Sequence, residues 1–108
     1  MKKINLNWRK NSINIAIQVL PEADGKLSYG LVDAAIEAIK QTGFNYKVCP
    51  FETVVECRYD QLADLIEGIH EVCYKAGTEK MLTNLKIQVD FGNDVTIDDK
   101  MEKYSQGS

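Results

Sequence analysis

Asn45 to Tyr59, NYKVCPFETVVECRY, reads as two short strands joined by a proline-containing connection, and the rest of the chain is arranged around that hairpin. Tyr46 and Val48 flank Lys47 before Cys49-Pro50-Phe51-Glu52, and the β-branched run Thr53-Val54-Val55 follows. Strand side chains alternate between faces. If Val55 and Cys57 point inward, Val54 and Glu56 therefore point to the opposite face. An ordinary core strand carries no carboxylate, so the functional reading turns on what Glu56 meets.

Working towards the N-terminus, Gly43 stands where a left-handed residue closes a helix. The apolar stripe Val32, Ala35, Ile36 and Ile39 predicts that helix, from an N-cap at Ser28 to about Thr42. Before it, Ile13, Ile15, Ile17 and Val19 alternate with Asn14, Ala16, Gln18 and Leu20, which is the period of a half-buried strand. Pro21 is expected to end that strand, and Asp24-Gly25 marks a turn in the loop that follows. Residues 1–12 form a polar extension holding Trp8.

Towards the C-terminus, Asp60 is the expected cap of a second helix running through Ala76. Its stripe is Leu62, Leu65, Ile66, Ile69, Val72 and Cys73, and Gly77 ends it. Met81, Thr83, Leu85, Ile87 and Val89 then alternate as a further strand. Residues 92–108 form a tail, with Val95-Thr96-Ile97 expected as a short strand and a helical turn after it.

The order strand, helix, strand, strand, helix, strand is the ferredoxin-like βαββαβ plan, an α+β fold. Right-handed crossovers put both helices on one face of a four-stranded antiparallel sheet. Residues 13–91 make the domain, and its length of about 80 residues fits a single core. A net charge of −3 argues against nucleic-acid binding, which needs concentrated cations. No apolar run approaches the roughly 20 residues of a membrane span, and the start MKKINLNWRKNS lacks the apolar core of a secretory signal. Cys49, Cys57 and Cys73 have no CxxC spacing, so reduced thiols in a cytoplasm are expected rather than a disulfide framework or a zinc site.

Alternation places Ala16, Gln18, Leu20, Val54, Glu56, Leu82, Asn84 and Lys86 on the face without helices. Apolar residues around a few polar ones mark a face that meets a partner. A second copy of the chain would be one such partner. Two readings of Glu56 stand side by side: a surface carboxylate paired with Lys86 or Lys47, or a ligand acceptor with Gln18 and Asn84 as amide neighbours. Thr53, at the mouth of the hairpin, is either a plain β-former or a hydroxyl for the ligand. Phe51 is either a loop anchor or a stacking surface. His70 lies with Glu67, Glu71 and Tyr74 on the polar side of the second helix and reads as solvated. No phosphate-cradling glycine loop, serine elbow or metal-spaced cluster is present in the sequence.

Several families share this topology. The third strand Thr53 to Cys57 lacks the aromatics on which RNA-recognition motifs stack bases. Copper-chaperone domains need a CxxC in the first loop, and acylphosphatases a basic phosphate loop where Leu20-Pro21-Glu22-Ala23-Asp24 is acidic. The ordered series Ile15 to Pro21, Ala35 to Ile39 with Gly43, Tyr46 to Glu56, Ala76-Gly77, Thr83 to Ile87 and Val95 to Lys100 with Lys103-Tyr104 instead resembles the thiamine-binding, YkoF-like family.

The resemblance implies a cytoplasmic homodimer or homotetramer that binds thiamine or its hydroxymethylpyrimidine part, with no catalysis and no cofactor. An aminopyrimidine offers an amino donor and ring-nitrogen acceptors, which a carboxylate and amides can read together. Glu56, Thr53, Gln18 and Asn84 are the expected polar shell, and Phe51 or Tyr29 the aromatic beside the cationic thiazolium. The alternative is a homo-oligomeric interaction module whose open face assembles subunits and takes no small ligand.

Overall fold

The longest strand, β1 (Ser12–Ala23), carries the sheet. The computed structural model describes residues 7–23, 26, 27, 29–99 and 101. After β1 come β2 (Lys26–Leu27), α1 (Tyr29–Gln41), β3 (Asn45–Val48), β4 (Thr53–Arg58), α2 (Leu62–Lys75) and β5 (Lys80–Gln88). β1 is flanked on both sides by antiparallel partners, so that Ile17 sits opposite Thr53 of β4 and also opposite Leu85 of β5. β3 pairs with β4, and the four main strands run β3-β4-β1-β5. This is the α+β ferredoxin-like arrangement that the alternation predicts.

One face of β1 supplies Ile13, Ile15 and Ile17, all buried, and β4 adds Val55 and Cys57 at the same parity. Ala35 and Ile39 of α1 and Leu65, Ile69 and Cys73 of α2 close the same core, so both helices cover one face. Complete burial of a side chain such as Ile15 contributes about 1.5–3 kcal/mol relative to exposure. The connections out of the helices turn at Gly43 (φ +78°) and Gly77 (φ +102°), where a side chain would be strained.

Four expectations need correction. Pro21 does not end the first strand: β1 runs on through it, with Pro21 opposite Met81. Proline fits a strand where its nitrogen has no ladder partner to serve, and among the described residues β1 has no partner at Pro21 on the side away from β5. Asp60 does not cap α2. A single 3-10 turn, Tyr59–Gln61, precedes the helix, and Asp60 pairs instead with Lys10 (2.8 Å) and Arg58 (2.9 Å). Residues 95–97 form no strand; a helical turn starts at residue 97. The sheet face away from the helices is not wholly uncovered, because residues 94–97 cross one end of it. The expected cap Ser28 and the turn Asp24-Gly25 lie outside the described residues.

Of the N-terminal extension, residues 7–10 dock on the chain itself. Asn7–Lys10 forms a 3-10 turn that sets the Trp8 ring edge-on against Tyr59 (4.8 Å between centroids) and Phe91 (5.1 Å). Arg9 lies over the Trp8 ring at 5.8 Å.

Candidate functional site

The pairing register decides what the open face presents. Gln18 lies directly opposite Asn84, and Ala16 opposite both Lys86 and Val54. Directly opposed side chains on one face are neighbours, and Asn84 Nδ2 donates to Gln18 Oε1 at 3.0 Å. That bond leaves the Gln18 amide nitrogen and the Asn84 carbonyl oxygen outside the pair's own hydrogen bond, a donor beside an acceptor.

Ala16, with a single methyl, forms the floor beside this amide pair. Phe51 and Glu52 rise from the β3–β4 connection as one wall, and Lys86 stands opposite, its Nζ 3.5 Å from Glu52 Oε1. The result is a depression of about 100 Å³ lined by Ala16, Gln18, Phe51, Glu52, Asn84 and Lys86. Phe51 is 83% exposed, an aromatic face with no ring stacked on it among the described residues. The connection itself is pinned by Cys49 N donating to Glu52 O at 2.9 Å.

On the helix side of the same connection lies a second cavity of about 200 Å³. Its walls are mainly Ile17, Val19, Val32, Ile36 and Ile39, with Thr53 as its hydroxyl. Thr53 shares the parity of Val55 and is buried. Gln18, Phe51 and Glu52 line both cavities.

Of the expected site residues, the structure therefore gathers Gln18, Asn84 and Phe51 around one depression and sets Thr53 behind it. Glu56 lines neither cavity. It sits opposite Asn14, four residues and about 13 Å along β1 from Gln18. Its Oε1 accepts from Ile97 N at 2.7 Å, in place of the expected lysine partners.

This bond belongs to a strap formed by residues 94–97. Ser12 N donates to Asp94 Oδ1 at 2.7 Å, and Val95 N donates to Ser12 O at 2.8 Å. The buried Asn14 amide, turned with its nitrogen towards the strap, donates to Val95 O at 3.0 Å. Thr96 Oγ1 accepts from Asp99 N, so the first turn of the tail helix has Thr96 and Glu56 as acceptors for its free N–H groups. Val95 and Ile97 are buried by this packing.

Glu52 is the pocket residue that sequence reasoning passed over. A loop position has no periodicity, and only its neighbour Phe51 pointed to it. His70 is exposed, as expected, and its Nε2 lies 2.9 Å from Thr83 Oγ1. Burial pushes the Cys57 thiol up to about 11, with the nearby Asp60 carboxylate adding to the shift and Arg58 opposing it; burial also raises Cys73. Neither supplies a thiolate at neutral pH. Among the described residues, no three or more His, Cys, Asp or Glu side chains come together to hold a metal ion, and no helix is long and apolar enough to cross a membrane.

A model of the thiamine-binding protein family matches residues 15–105. A UPF0045 protein of Clostridium perfringens is 33% identical over 94 residues, 87% of this chain and 98% of that relative. A solved domain of unknown function from Bacillus cereus, DUF77, superposes with a TM-score of 0.81 at 36% identity, covering 91% of this chain and 94% of that one. A candidate thiamine biosynthesis/salvage protein of Thermotoga maritima superposes with a TM-score of 0.75 at 29% identity, covering 86% and 98%.

Proposed function

The chain belongs to the thiamine-binding protein family, and from that membership we propose that it binds thiamine or its hydroxymethylpyrimidine part in the cytoplasm without transforming it, for salvage, storage or transport. The observation that carries this reading is the Gln18–Asn84 pair beside the exposed ring of Phe51. A donor and an acceptor side by side suit the edge of an aminopyrimidine, and Phe51 offers a face for its ring. Glu52 supplies a carboxylate within the same depression. Glu56, tied to Ile97, acts in this reading on the strap.

A second copy of the chain is the proposed partner. Edge strand β5 leaves Leu82 exposed on the open face and Leu85 and Ile87 exposed on the helix side, and a two-fold contact along that edge would cover them. The same observation favours the second reading, an assembly module that takes no small ligand.

Calorimetric titration with thiamine and hydroxymethylpyrimidine, after light scattering has fixed the oligomer, separates the two. Saturable binding at micromolar Kd or tighter, about −8 kcal/mol, supports the first. A well-folded oligomer that gives no heat with either compound overturns it in favour of the second.

A further inference from the structure

The two cavities meet at an interruption in the sheet. Glu22 pairs with Lys80 on the β5 side of β1, so its other partner, Leu27 of β2, lies on the β4 side. On that same side β4 begins at Thr53, opposite Ile17. Between these two points Gln18 to Pro21 have no strand partner on the β4 side among the described residues. The β3–β4 connection borders the gap, which is why Gln18, Phe51 and Glu52 line both the open-face depression and the helix-side cavity.

Size and chemistry indicate that the two cavities work together. Ligand pockets run from roughly 300 to 1,000 Å³. Volumes of about 100 and 200 Å³ fall short of that range singly and reach its lower end jointly. The open-face half presents four polar side chains, Gln18, Glu52, Asn84 and Lys86, beside Ala16 and Phe51. The helix-side half is aliphatic, with the Thr53 hydroxyl at one wall.

We propose that the ligand is a two-ring molecule that passes through this gap, its hydrogen-bonding ring held by Gln18 and Asn84 and its second ring seated beneath α1, with Glu52 at the threshold facing the cation. This rests on the thiamine reading and assigns its halves. The aminopyrimidine lies on the open face, and the thiazolium enters the helix-side cavity with its hydroxyethyl group towards Thr53. A cation entering an aliphatic cavity needs a paired charge, and Glu52 reaches both halves. Taking up the cation releases Lys86 from Glu52. A diphosphate on the hydroxyethyl group would set anionic oxygens against Ile36 and Ile39, with no cation among the described residues that line the cavity, so the phosphorylated form is disfavoured.

The test is calorimetry with thiamine and with hydroxymethylpyrimidine on the wild type and on Val32→Phe, which fills only the helix-side cavity. In the wild type thiamine is expected to bind about tenfold or more tighter than hydroxymethylpyrimidine. Val32→Phe is expected to weaken thiamine by about tenfold and hydroxymethylpyrimidine by less than about threefold. Equal affinities in the wild type, or a thiamine affinity that Val32→Phe leaves unchanged, overturn the two-ring assignment while leaving the thiamine reading in place. Absence of binding to either compound by the wild type overturns that reading and this inference with it. Should Val32→Phe fail to fold, amide spectra of labelled wild type decide. Shifts at Val32 and Ile36 with thiamine but not with hydroxymethylpyrimidine support the assignment, and the same pattern with both overturns it.

Discussion

Glu56 holds the backbone N–H of Ile97 at 2.7 Å and so ties the C-terminal strap to the open face of β4. Removing the acceptor leaves a part-buried donor unserved, which costs about 1–3 kcal/mol. Glu56→Ala is expected to lower stability by that amount in urea unfolding. Glu56→Gln, which keeps an oxygen in place, is expected to lose less than about 1 kcal/mol. Thiamine affinity is expected to stay within about twofold of the wild type in the Gln variant. Loss of binding with unchanged unfolding would move the ligand's carboxylate from Glu52 back to Glu56.

Gln18 and Asn84 are mutually bonded on an accessible surface. Asn84→Leu is expected to leave the unfolding midpoint nearly unchanged, since surface substitutions stay within about 0.5 kcal/mol. It is expected to weaken thiamine and hydroxymethylpyrimidine alike by about tenfold or more, because a misfit polar edge leaves the ligand's own groups unpaired. Titration of both compounds checks this. An effect on only one would contradict the placement of the pyrimidine.

The three thiols differ in access. Cys57 and Cys73 are buried, and burial raises both, Cys57 to about 11. Cys49 is partly exposed and lines the helix-side cavity. A thiol reagent at pH 8 is expected to label Cys49 first, and the other two only at the rate of unfolding. Saturating thiamine is expected to slow labelling of Cys49. Equal rates with and without thiamine would count against a ligand in that cavity.

Acid is expected to release the N-terminal turn. The hydrogen bond from Lys10, and after it that from Arg58, hold the Asp60 carboxyl below the usual carboxylate range. A carboxyl whose folded value is depressed stabilises fully above its unfolded value, near pH 4, and loses that contribution as pH falls through the folded value. Trp8, the single tryptophan of the chain, packs edge-on against Tyr59 next to this pair and reports the change. Its emission is expected to stay constant above about pH 5 and to shift below about pH 4. Asp60→Asn is expected to remove that transition.

Period-two alternation in β1 and β4 was enough to assign faces, because one face is packed by helices and a one-residue slip would expose Ile13, Ile15 and Ile17 together; in β5 the register puts Leu85 and Ile87 on the helix side, but both stay exposed there. The same alternation brought Gln18, Asn84 and Lys86 onto one surface. It failed where periodicity stops. Glu52 is a loop residue, and the partner of Glu56 lies 41 residues away in a segment whose apolar pair, Val95 and Ile97, imitates a strand. Pro21 misled because a strand with a neighbour on one side only tolerates a residue that a fully paired strand rejects. Asp60 misled because a carboxylate just before a helix serves equally well as an ion-pair partner.

The uneven pairing along β1 also sets how the molecule breathes. From Asn14 to Ile17 the strand is clasped on both sides, and its amides can exchange with solvent only when the sheet itself opens. From Gln18 to Pro21 it is held, among the described residues, on one side. Gln18 thus stands at the boundary between the doubly and the singly paired stretches of β1. The connection Cys49 to Glu52, closed on itself by the bond from Cys49 N to Glu52 O, borders that boundary.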